Sequence, residues 1–155
     1  MRKIFLLSVI VLFVAVIKVN AQDKGTAYTT AVGIKLAPAT ALTVKHFIND
    51  DNAIEGLASF WSHGFRLTGL YEFHHDISDM DGLKWYVGPG IHFSAYGSKY
   101  YGGGSTVGVD GVLGLDYKFD EAPINLSLDW QPSVDFGSYD GFDDWFGLGI
   151  RYTFN

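Results

Sequence analysis

From about Tyr28 onward the chain alternates apolar and polar residues with a period of two, and every charged strand residue falls on one parity. The apolar parity runs Val32, Ile34, Leu36, then Leu42 and Val44. It continues through sets such as Phe65, Leu67, Tyr71, Phe73 and Leu113, Leu115, Tyr117, Phe119, and closes on Phe146, Leu148, Ile150, Tyr152 and Phe154. The other parity carries Lys35, Lys45, Glu55, Arg66, Glu72, Lys84, Asp110, Asp116, Lys118, Asp129, Asp135 and Arg151, diluted by glycine, serine and threonine. Successive side chains of a strand point to opposite faces, so this pattern specifies strands with one apolar and one polar side.

Strands are expected near residues 28–37, 40–48, 53–62, 65–75, 83–95, 106–119, 123–136 and 144–154. The breaks between them carry turn chemistry: "APAT", "NDDN", "SHG", "DISDMDG", "YGSKYYGGGS", "DEAP" and "GSYDGFDD". No segment has an amphipathic helix period. The expected fold class is all-β, a single eight-stranded antiparallel up-and-down barrel.

Alternation alone does not say which face is inside. A soluble barrel turns the apolar face inward and a transmembrane barrel turns it outward. Three features favour the second. An eight-stranded barrel has an interior only wide enough for side chains, and the apolar parity is the bulkier one. The charged parity holds six acids and six bases, the balance a sealed lumen needs, because a lone buried charge costs several kcal/mol, of order. Third, alternate strands up and down from a first strand that starts on the inner side. Tyr28, Phe73, Trp85, Tyr117, Phe119, Tyr152 and Phe154 then gather at the lower rim, and Phe60, Phe65, Phe93, Phe136 and Phe146 at the upper one. Two aromatic girdles around an aliphatic band are an outer-membrane pattern. Trp130, near mid-strand, stands apart.

The first 21 residues read as a secretory signal. Arg2 and Lys3 precede an apolar run from Ile4 to Ile17, and Val19-Asn20-Ala21 offers small residues before a cut at Gln22. The barrel domain is then 22–155. Losing Arg2, Lys3 and Lys18 leaves eight basic residues against seventeen acids, a net of −9, which argues against nucleic acid as a partner. There is no cysteine, which excludes disulfides, thiolate metal sites and a lipid anchor on an N-terminal cysteine.

With the final strand "FGLGIRYTF", the chain resembles the small eight-stranded outer-membrane β-barrel proteins of Gram-negative bacteria, the group of OmpA-type transmembrane domains and OmpX-like barrels. The resemblance covers the mature chain. It implies a bacterial outer-membrane location, outer-membrane lipid and lipopolysaccharide as surroundings, and the barrel-assembly machinery as a partner. The assembly signal would be Tyr152 and Phe154, although Asn155 makes the aromatic penultimate. No catalytic or ligand motif is carried over.

The remaining candidates are weaker. "DISDMDG" fails as an EF-hand loop, because Ile77 and Gly88 would occupy its first and last ligand positions. Asp140, Asp143 and Asp144 could meet a divalent cation, but a solvated loop suffices. His74 and His75 point to opposite faces, and His92 reads as a hydrogen-bonded lumen filler. Ser62 and His63 with Asp140 or Asp143 would be the constellation of a lipid-modifying enzyme, without a nucleophile elbow. Tyr96, Tyr100 and Tyr101 on a Gly/Ser loop are candidate outer contacts. Pro89 and Pro132 should mark bulges or strand edges. The expected function is therefore a non-enzymatic outer-membrane barrel with a side-chain-filled lumen and a structural or surface-interaction role. No cofactor, metal or catalytic residue is assigned, and the surface ligand is open. A soluble barrel for a small apolar ligand and a lipid-modifying enzyme are the alternatives.

Overall fold

A computed structural model describes residues 28–97, 99 and 102–154. The expected signal segment, Tyr100, Tyr101 and Asn155 lie outside the described residues. Eight strands follow in order: β1 (Thr30–Leu36), β2 (Ala41–Phe47), β3 (Asn52–Trp61), β4 (Gly64–Asp76), β5 (Leu83–Tyr96), β6 (Gly104–Lys118), β7 (Ile124–Gly137) and β8 (Gly141–Phe154). Each pairs antiparallel with the next, and β8 returns to β1, so the sheet is a closed up-and-down barrel. The closing seam runs in continuous register from Thr30↔Phe154 to Leu36↔Leu148, and Thr29 N donates to Phe154 O beyond it. The wall is uneven: β1 and β2 have 7 residues each, whereas β5, β7 and β8 have 14.

The boundaries expected from the alternation hold to within a few residues. The largest shift is in β8, which starts at Gly141 rather than 144. "GFDD" has turn composition, but its backbone still pairs with β7 through Val134↔Phe142 and Ser133↔Asp143. This puts Asp144 on the outward parity, where the sequence pattern has no charge. Its carboxylate accepts the indole N–H of Trp130 at 2.8 Å, so the two polar groups that seem misplaced on the apolar face satisfy each other.

"DISDMDG" forms a tight connection. Met80 N donates to Ile77 O and Leu83 N to Met80 O, while Asp79 and Gly82 take positive φ values of 69° and 81°. A Cβ on Gly82 would come within 2.4 Å of Lys118 O, so the turn needs glycine on both counts.

The two internal prolines do not create bulges. Around Pro89 the β4–β5 pairs Leu70↔Gly90 and Phe73↔Val87 keep one register, with the two intervening pairs missing. Around Pro132 the β6–β7 pairs Asp110↔Ser133 and Leu113↔Trp130 do the same. Proline removes a donor from one seam and leaves the other intact: Pro89↔Gly111 and Pro132↔Asp144 remain paired.

The faces separate cleanly. Ile34, Leu42, Ile54, Phe60, Ile91, Val109, Leu128 and Phe146 are among the large apolar residues exposed on the outer surface, whereas Lys35, Lys45, Glu55, Glu72, Asp116, Asp129 and Arg151 are buried inside. Phe73, Trp85, Tyr117, Phe119, Tyr152 and Phe154 are exposed near the end that carries the termini, called the terminal end below. Phe60, Phe93, Phe136, Phe142 and Phe146 are exposed towards the far end. Tyr28 departs from its expected place in the outer girdle. It is buried, its ring meets Phe47 edge-on at 5.1 Å, and its hydroxyl donates to Asp116 at 3.1 Å.

Removing Tyr152 to Asn155 takes away three of the seven β1–β8 pairs. The truncated chain is expected not to yield a closed barrel, read as loss of heat-modifiable gel mobility and of protease resistance after refolding in detergent.

Candidate functional site

The interior is built by strand parity: each inward position alternates with an outward apolar one, so eight strands deliver their polar residues to one axis. These residues form two compartments. Nearer the terminal end, Lys35 bridges Glu55 at 3.2 Å and Asp129 at 2.8 Å. Lys45 lies 2.8 Å from Glu72, 3.2 Å from Asp116 and 3.8 Å from Glu55. Arg151 Nη2 pairs with Glu55, and Nη1 donates to Asn125 and Ser127. Neutral donors complete the shell: Tyr86 gives its hydroxyl to Asp129, Thr43 to Glu55, Asn125 to Asp116, and Lys45 sits 4.1 Å over the Tyr86 ring.

Towards the far end, Arg66 bonds Asp110 at 2.6 Å, and His92 lies between Asp110 (2.8 Å) and Asp135. An apolar layer of Ala41, Leu57, Leu70, Tyr86 and Val112 occupies the interior. Along β4, Leu70 falls between Arg66 and Glu72; along β6, Val112 falls between Asp110 and Asp116. No ion pair joins the two compartments among the described residues.

The twelve charges expected to form one network thus divide. Ten lie in the two compartments. Lys84 and Lys118 do not join them. Lys84 sits at the rim, bonding Asp76 at 3.4 Å and Asp50 O. Lys118 caps the β6–β7 turn through Phe119 O and Ala122 O. Both are the strand residues next to a turn, where the lumen meets water. The sequence reading makes His92 a filler, assigns His74 only a direction opposite to His75, and passes over Tyr86, Asn125 and the apolar layer. All of them stand on the charged parity, which was the available signal.

Interior glycines make room for these side chains. A Cβ on Gly114 would lie 2.7 Å from Tyr86 Cζ and 2.6 Å from Asp129 Cβ, and one on Gly108 would lie 2.3 Å from His92 Cε1. Large polar groups and missing side chains therefore alternate across neighbouring strands.

At the far mouth a cavity of about 280 Å³ is lined by residues including Trp61, Arg66, Tyr96, Asp135, Asp143 and Trp145. Tyr96 contacts Trp61 at 5.8 Å and Tyr139 at 5.2 Å between ring centroids, so one expected contact residue belongs to an aromatic cluster at this mouth. Asp140, Asp143 and Asp144 do not converge. Asp140 accepts Gly137 N, Asp143 accepts Asp144 N, and Asp144 takes the Trp130 indole. Ser62 and His63 line a second depression with Phe65, Ala95 and Lys99, whose lining includes neither Asp140 nor Asp143. Tyr152 and Phe154 lie side by side on the outer surface, their rings 4.9 Å apart.

A scan against protein-family models and a search of curated proteins found no match to the chain.

Two substitutions probe the packed interior. Arg151→Met leaves Glu55 without its guanidinium partner and is expected to cost about 3–5 kcal/mol. Gly114→Val overpacks the Tyr86–Asp129 contact and should cost about 1–3 kcal/mol. Gly56→Ala, with nothing within 4 Å of the new Cβ, serves as the neutral control. Urea midpoints of the refolded barrel measure all three.

Proposed function

We propose that the protein is a non-enzymatic integral barrel of the bacterial outer membrane, with a closed lumen and a structural or surface-contact role exercised at its far mouth. The observation that carries this reading is the inversion of the two faces. Large apolar side chains are exposed around all eight strands, and the buried positions hold lysine, arginine, glutamate and aspartate. In water such an outer surface has a large unfavourable hydration cost. In lipid it is the favourable arrangement, and a closed barrel leaves no strand edge unpaired. A Lys or Arg turned to lipid at mid-depth costs ~2–4 kcal/mol, which accounts for the confinement of strand bases to the inner face.

A soluble barrel holding a small apolar ligand needs the opposite assignment of faces. The alternative of a lipid-modifying enzyme would use Ser62 and His63, and neither Asp140 nor Asp143 lines the depression that holds them. Within the proposed role, the aromatic cluster of Trp61, Tyr96 and Tyr139 at the far mouth is the surface offered to a partner. The terminal strand, with Tyr152 and Phe154 outward, is the segment offered to the barrel-assembly machinery.

The mature chain is expected in the carbonate-washed membrane fraction, with heat-modifiable mobility. Recovery as a soluble protein without detergent would overturn the reading. In planar bilayers it should give no stable large conductance, because Arg151, Tyr86, Lys35 and Lys45 fill the lumen and are at most 1% exposed.

A further inference from the structure

The terminal-end compartment contains an odd number of charges. Three cations, Lys35, Lys45 and Arg151, face four carboxylates, Glu55, Glu72, Asp116 and Asp129. The side chains of all seven are between 0 and 3% exposed. With every acid ionised, this compartment would hold one uncompensated negative charge away from water, a state that buried groups avoid by taking up a proton.

The four carboxylates are not equally provided for. Glu55 receives Thr43, Lys35 and Arg151; Asp116 receives Tyr28, Lys45 and Asn125; Asp129 receives Lys35, Tyr86 and Gln131. Glu72 differs. Its Oε2 meets Lys45 and His74 Nε2, each at 2.8 Å, and its Oε1 has no hydrogen-bond partner. The same is true of His74 Nδ1. His74 is fully buried, stacked on Tyr86 at 4.8 Å and against Phe47 at 4.7 Å. The charged and titratable groups around this pair are Lys35 on β1, Lys45 on β2, Glu55 on β3, Lys84 and Tyr86 on β5, Asp116 on β6, and Tyr28 before β1.

We infer that the Glu72–His74 pair is a proton-binding site, holding one proton that neutralises the terminal-end compartment. The proton is carried by Glu72 as a carboxylic acid, whose Oε2 meets His74 Nε2 and whose Oε1 is otherwise unpartnered; the buried imidazole stays neutral. The inference concerns the sealed interior and holds whatever surrounds the outer face.

The consequence is linkage of folding to proton uptake. The folded barrel holds a proton that the unfolded chain releases once pH exceeds the ordinary values of free glutamate and histidine. The unfolded pair carries two protons below the glutamate value, one between the two values and none above the histidine value, so this contribution is greatest between them and falls as pH rises above about 6.5. One linked proton changes the folding equilibrium constant about tenfold per pH unit within that window.

The test compares urea unfolding of detergent-refolded wild type and Glu72→Gln from about pH 6 to about pH 9. Glutamine copies a protonated glutamate, so the variant should fold and its stability should lose one proton's worth of pH dependence relative to wild type. Glu55→Gln balances the count equally but leaves the Arg151 guanidinium facing a neutral amide, so it should be destabilised at every pH where Glu72→Gln is not. An infrared carboxylic-acid carbonyl band should be present in wild type and absent in Glu72→Gln. Identical pH slopes in wild type and Glu72→Gln overturn the proposal. If Glu72→Gln does not refold, a wild type with neither a pH-dependent midpoint nor the carboxylic-acid band overturns it.

Discussion

Closure of the sheet is the constraint on which the rest of the molecule depends. Once β8 pairs with β1, every strand has two neighbours and the chain has no free edge. Closure also creates an inside with little volume, since eight strands enclose room for side chains and nothing larger. Every inward residue must therefore fit its neighbours in size and in charge. The glycines opposite Tyr86 and His92 answer the first demand, and the ion pairs of Lys35, Lys45 and Arg151 answer the second.

Charge balance inside is local rather than global. A tally of the whole inward parity gives equal acids and bases, but the molecule divides that parity into two compartments and a rim. Lys84 and Lys118 contribute to the tally and not to the interior, because water at the strand ends solvates them. Each compartment is then one base short of its acids, and each has a histidine bonded to a carboxylate. A histidine that looks like filler in the sequence acquires a role once the arithmetic is done compartment by compartment.

Much of the architecture was legible because parity is a strong signal: a shift of one residue would exchange the two faces of a whole strand. Strand number, order, closure and the inward placement of Arg151 all follow from it. Parity says nothing of depth, so it could not separate the Arg66–His92–Asp110–Asp135 group from the Glu55–Arg151 group. Nor could it find the layer of Leu57, Leu70 and Val112 between them, whose members look like lapses in a polar face. Turn composition misled at "GFDD", where backbone pairing overrode local preference. Tyr28 departs from its expected place because it lies two residues outside the strand, where parity no longer fixes direction. The prolines were misjudged because each weakens one seam without disturbing register.

The uneven wall has a consequence for a barrel embedded in a bilayer. A tilted strand needs about 9–11 residues to cross the hydrocarbon, and β1 and β2 have 7 each against 14 and 15 in β5 and β6 on the opposite side. The apolar belt is therefore low on one flank and high on the other. A bilayer meets such a mismatch by thinning beside the short strands or by letting the whole cylinder lean towards them. The axis of the barrel and the normal of the membrane would then not coincide, and the far mouth would face sideways over the short flank rather than straight outward.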